Sequence, residues 1–149
     1  MQATIETLKR FDFFDGIPYE ALEKIAGLAK EDKCAEGSVL FAEGAEAEKL
    51  FLIVDGKVSL EKLVQLGRTG TPRRATIGVV GPWQPIGWSA LVSPYIYTSS
   101  IVCLEKTTVL AVPGRDLRKL MNEMPEVGCE LISRVASIIR ERLNNSSST

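Results

Sequence analysis

The chain has 149 residues, 45% hydrophobic and 25% charged, the average make-up of a soluble globular domain, which excludes disordered, collagen-like and purely coiled-coil classes. At this length about 68–70% of the unfolded surface can be buried, so one core forms without disulfide or metal staples. A net charge of -1 and a pI of about 5.6 leave no general attraction to phosphate backbones or anionic lipid.

From Thr4 to Lys30 the spacing of Ile5, Leu8, Leu22, Ile25 and Leu28 predicts short helices. Asp15 and Gly16 break the first, and Pro18 can open the next at its first turn. The opening residues carry no apolar signal-like region, and no apolar run reaches the ~20 residues that a membrane helix needs. A cytoplasmic chain with no membrane partner is expected.

Residues 33–113 change character. Short apolar runs, VLFA, KLFLIV, KVSLEKLV, ATIGVV, SSIVCL and TVLAV, recur about every eight to twelve residues between glycine-rich turns, the spacing of an antiparallel sandwich or barrel. Val54-Asp55-Gly56-Lys57 predicts a tight Asp-Gly hairpin. QLGRTGTPRR, residues 65–74, predicts a polar loop whose Arg68, Arg73 and Arg74 form either a local anion site or a solvated face.

After Pro113 the pattern turns helical, with a short helix over 114–122 and a longer one from Pro125 to about Asn144. Val127, Leu131, Ile132, Val135, Ile138, Ile139 and Leu143 make its apolar stripe wider than one packing contact uses. Two readings follow: a homodimer through residues 126–143, or a helix wrapped against its own domain. NNSSST reads as a polar tail.

The chain contains no histidine, which removes Ser-His-Asp and Cys-His nucleophiles, HExxH metal helices and axial imidazole for haem. The nineteen acids fall in exposed-looking patterns, so a carboxylate-dependent hydrolase is a distant alternative and no catalytic residue is assigned. Cys34, Cys103 and Cys129 show no CxxC spacing and read as small buried hydrophobes in a reducing compartment, with no metal site.

The stretch IGWSALVSPYIYTSS, residues 86–100, has the look of a ligand-cradling loop, yet it holds no charged residue. Together with EGSVLFAEGAEAEKLFLIVDGKVSL, GPWQPIGWSAL and VLAVPGRDLRKLMNEMP, it resembles the cyclic nucleotide-binding domain family of the catabolite activator protein and protein kinase A regulatory subunits. The resemblance runs from about Phe11 to Leu143. It implies a mainly β fold with flanking helices, a double-stranded β-helix (jelly-roll) barrel in one domain, residues 1–149. Helices would fill 1–32, the barrel 33–113, and hinge and C-terminal helices 114–145.

In that family a glycine starts the cradle, amides of a short helix face a cyclic phosphate, an arginine neutralises it and a glutamate accepts from the ribose. Gly87 matches the glycine, and Ser89, Ala90 and Leu91 match the short helix. The glutamate position holds Trp88; the arginine position holds Thr98, followed by Ser99 and Ser100. The resemblance therefore implies a non-enzymatic regulatory or sensor domain whose ligand-binding residues are Gly87, Trp88, Ser89, Ala90, Thr98, Ser99 and Ser100. Its ligand is a cyclic nucleotide or another small planar molecule, with Tyr95 and Tyr97 as further stacking surfaces and Arg73 or Arg74 as a substitute cation. The alternative is a ligand-free dimerisation or protein-interaction module whose pocket Trp88 plugs. No DNA-binding helix-turn-helix is expected within this chain, which reads either as a free-standing module or as a sensor whose output domain lies elsewhere.

Overall fold

A computed structural model of the protein describes residues 4–65, 67–68 and 70–147. Helix α1 (Ile5–Lys9) is capped by the Thr4 hydroxyl, which accepts from the Thr7 amide. A 3-10 turn (Asp12–Phe14) carries the chain to Pro18, which caps α2 (Tyr19–Leu28) from just outside the helix. Eight strands follow: β1 (Lys30–Cys34), β2 (Val39–Phe41), β3 (Lys49–Asp55), β4 (Val58–Val64), β5 (Arg73–Val80), β6 (Pro85–Ile86), β7 (Ser100–Cys103) and β8 (Thr107–Pro113). Helices α3 (Gly114–Glu123) and α4 (Pro125–Ser147) close the order. Strand β1 begins before the expected boundary at 33 because KEDKC, a charged edge strand, shows no apolar alternation.

The strands form two four-stranded antiparallel sheets, ordered β1-β8-β3-β6 and β2-β7-β4-β5. Burial explains why β3 reads as an unbroken apolar run. Leu50 and Leu52 face the helical layer, together with Leu110 and Val112 of β8, whereas Phe51, Ile53, Val109 and Ala111 face the second sheet. A sheet covered on both faces loses the polar alternation of a half-solvated one. From the other side Val58, Leu60, Ile101 and Cys103 meet that inner face. Each such buried aliphatic side chain contributes about 1.5–3 kcal/mol.

The expected mainly β fold with flanking helices is present, and among the described residues ladder pairing stays within each of two facing antiparallel sheets. Two expectations need correction. The Asp-Gly turn joins no hairpin: β3 pairs with β8 and β6, β4 with β5 and β7, and Gly56, at φ +105°, carries the chain from one sheet to the other. The long hairpin is instead β4–β5, around the 65–72 loop, of which Leu66 and Thr69 lie outside the described residues. Finally, only Cys103 of the cysteines is fully buried; Cys34 is half-buried and Cys129 exposed. Burial, with Cys103 beside it, pushes the Cys34 thiol up to about 11, so it stays neutral and unreactive near pH 7.

Helix α4 packs inward through Val127, Leu131 and Val135. Arg134 anchors it, donating to the Asp12 carbonyl at 2.6 Å and the Asp15 carbonyl at 2.7 Å. Another row, Cys129, Ile132, Ala136, Ile139 and Leu143, repeats at alternating steps of three and four; all but Ile139 are exposed. Among the described residues, no helix is long and apolar enough to cross a membrane.

Candidate ligand cradle

The cradle begins where β6 ends. Gly87 stands at φ +76°, and a Cβ there would lie 3.1 Å from the Lys49 carbonyl and 3.3 Å from the Phe41 and Tyr97 rings. Backbone and space both demand glycine. It turns the chain into a single 3-10 turn, Trp88–Leu91.

Five of the seven expected residues, Gly87, Trp88, Ser89, Thr98 and Ser99, line one small void. The other two do not. Ala90 is wholly buried, with its carbonyl committed to Arg118, and Ser100 is buried where its hydroxyl accepts from the Glu43 amide at 2.8 Å. The resemblance implied both, but alternation turns Ser100 away from Ser99, and the 3-10 turn directs Ala90 against α3.

The void has a volume of only about 20 Å³. That is room for about one water molecule. Tyr97 is 5% exposed and stacks on Phe41 with ring centroids 3.8 Å apart, while its hydroxyl donates to the Lys49 carbonyl at 2.6 Å. It floors the cradle in place of offering an open stacking face. Tyr95 instead lies under the Arg118 guanidinium, 4.0 Å from ring centroid to cation. Trp88 is half-buried and packs partly on the helical core.

The loop arginines do not line the void, and Arg74 sits 3.8 Å from Glu61 across the β4–β5 ladder. The cation at the cradle is Arg142, from the end of α4. Sequence reasoning missed it because nothing local links a helix residue to a loop so far back in the chain. Arg142 also borders a groove of about 760 Å³ between α4, β5 and residues 83–85.

Helix α3 is bonded to the cradle loop at one point and to the residue before β3 at another. Arg118 donates to the Ala90 carbonyl at 2.6 Å, and the Gly114 amide donates to the Glu48 carbonyl at 2.7 Å. The Ala90 bond thus joins the cradle loop directly to α3, the helix that leads into α4.

Fold and cradle define a class: an antiparallel two-sheet domain with a glycine-led cradle loop bonded to the first of two C-terminal helices. More particularly, the chain belongs to the cyclic nucleotide-binding domain family, whose model matches residues 31–124. It is 24% identical over 140 residues to a CRP-like cAMP-activated global transcriptional regulator of Mycobacterium tuberculosis, covering 94% of this chain and 60% of that one. A cyclic AMP receptor protein of Thermus thermophilus is 27% identical over 134 residues, covering 90% and 60% respectively. The chain thus spans about 60% of the length of these curated relatives. Among solved structures, a candidate cyclic nucleotide-binding protein of Geobacter metallireducens superposes with a TM-score of 0.81 at 30% identity, covering 94% of this chain and 98% of that one. The Thermus thermophilus catabolite activator protein superposes with a TM-score of 0.70 at 25% identity, covering 87% and 58%.

Proposed function

We propose that the chain is a non-enzymatic regulatory domain, cytoplasmic and dimeric through α4, whose cradle takes a cyclic nucleotide or another small planar ligand. The observation that carries this reading is the convergence of Gly87, Trp88, Ser89, Thr98 and Ser99 on one void in a loop bonded to α3. The strand order, in which every connection but the β4–β5 hairpin passes from one sheet to the other, supports the jelly-roll form of the fold. A ligand acts by binding one arrangement of loop, α3 and α4 more tightly than another. With Trp88 and Thr98 in place of glutamate and arginine, wild-type affinity for cyclic AMP is expected in the millimolar range. Titration calorimetry with cyclic AMP and cyclic GMP checks this, and saturation at low micromolar concentration would contradict it.

A second reading rests on the size of the void. With room for about one water, the domain serves as a ligand-free dimerisation module, its pocket filled by the Phe41–Tyr97 stack and by Trp88. Silence of both nucleotides up to the solubility limit favours this reading.

Both readings share the dimer. The row Cys129, Ile132, Ala136, Ile139 and Leu143 has the three-four spacing of a helix-pairing seam, and Leu143 is 66% exposed in the single chain. Sedimentation equilibrium at tens of micromolar is expected to give a dimer, and Ile132→Glu a monomer. Mild oxidation is expected to link the two copies through Cys129, since a parallel in-register pair sets these thiols face to face. A monomeric wild type would overturn the seam, and a dimer without the cross-link would overturn its parallel register.

A further inference from the structure

Arg142 presents an unusual combination of position and environment. It lies at the end of α4, is half-buried, and borders both the cradle void and the neighbouring groove. Burial pushes its guanidinium below the ordinary arginine value, with only its chain neighbour Glu141 acting the other way. The salt bridges formed by other arginines, Arg74 with Glu61 and Arg134 with Glu130, have no counterpart at Arg142 among the described residues. A guanidinium held partly out of water, with no carboxylate in salt-bridge contact, is a strong recruiter of an anion. Ser89, Thr98 and Ser99 line the same void, and their neutral hydroxyls can hydrogen-bond an anion without neutralising it.

We infer that Arg142, delivered by α4, supplies the positive charge that the cradle loop lacks, and that the cradle accordingly selects a small anion-bearing ligand. This rests on the reading of the cradle as a ligand site. It makes the ligand's anionic group a direct link between the loop and the dimerising helix: the ligand holds α4 by its last turns, whereas a cation within residues 86–100 would hold only the loop. The present void is too small for such a ligand, so binding requires the Arg142 side chain to rise while its guanidinium stays on the anion.

The test uses cyclic AMP as the anionic probe and adenosine as its uncharged counterpart, each titrated into wild type, Arg142→Ala, Arg142→Lys, the double variant Trp88→Glu/Thr98→Arg, and that double variant carrying Arg142→Ala. Expected is a loss of cyclic AMP affinity of about 10- to 150-fold for Arg142→Ala, with partial retention in Arg142→Lys and a change of less than about threefold for adenosine. In the double variant, where the loop carries its own arginine, removing Arg142 is expected to cost a smaller factor than in wild type. Thermal melts of Arg142→Ala close to wild type exclude simple misfolding. If Arg142→Ala binds cyclic AMP as well as wild type or better, Arg142 is idle or obstructive and the inference fails while the cradle reading stands. It fails in the same way if the double variant binds and wild type does not. If neither binds cyclic AMP at any concentration, the cradle reading itself falls, and the inference with it.

Discussion

Replacing Trp88 by glutamate and Thr98 by arginine is expected to raise the affinity for cyclic AMP by a factor of about a hundred to several tens of thousands. Charge-assisted hydrogen bonds contribute about 1.5–3 kcal/mol each, so restoring one to the ribose and one to the phosphate supplies about 3–6 kcal/mol. The scaffold for both is already present: Gly87 turns the chain as a cradle requires, and Ser89 and Ser99 border the same void as the two changed positions. Thr98 is exposed, so arginine fits there without disturbing the core. Trp88 packs partly on the helical layer, and its loss is expected to lower the melting temperature. Thr98→Arg alone therefore separates the two effects, with a gain of about 10- to 150-fold and little change in stability. Calorimetry on the three proteins decides the matter. A double variant that folds yet binds no better than wild type would mean that the loop presents its side chains differently from the family's cradle.

Gly56→Ala is expected to destabilise the fold by about 2–5 kcal/mol, the joint cost of backbone strain and overpacking. The residue stands at φ +105°, and a Cβ there would fall 2.5 Å from the Thr107 hydroxyl oxygen, 2.6 Å from the Thr107 Cα and 2.8 Å from the Lys106 carbonyl. Two of these neighbours are backbone atoms, and Thr107 is fully buried, so the contact cannot be relieved by turning one flexible side chain. Thermal denaturation is expected to show a fall of roughly 5–20 °C in Tm. Gly37→Ala is the control. It shares a positive φ, +83°, but has nothing within 4 Å, so it isolates strain from collision at about 1–2 kcal/mol. Equal losses in the two variants would show that the crossing between sheets tolerates a methyl group.

The two positions differ in how much of them the sequence discloses. Val54-Asp55-Gly56-Lys57 marks a turn correctly, because the need for positive φ is local to the glycine. Its destination is not local: whether β3 folds back on β4 or the chain passes to the other sheet depends on β8 and β6 claiming the edges of β3. The cradle divides similarly. Residues 86–100 disclose a glycine-led loop without charge, and five of the seven residues named from it do meet at one void. Ala90 and Ser100 do not, since a 3-10 turn and a strand direct alternate side chains away.

By itself the sequence determined the order of helices and strands, the apolar rows of α4 and the absence of charge in the cradle loop. Each of these is written in spacing and residue type along a few turns or one strand. Only the tertiary structure decided which strands pair and in which sheet each lies, that Tyr97 stacks on Phe41 as the cradle floor, and that Arg142 arrives at the cradle. Those outcomes depend on contacts between residues far apart in the chain, where the gain from packing one element on another outweighs any local preference and leaves no periodic trace to read.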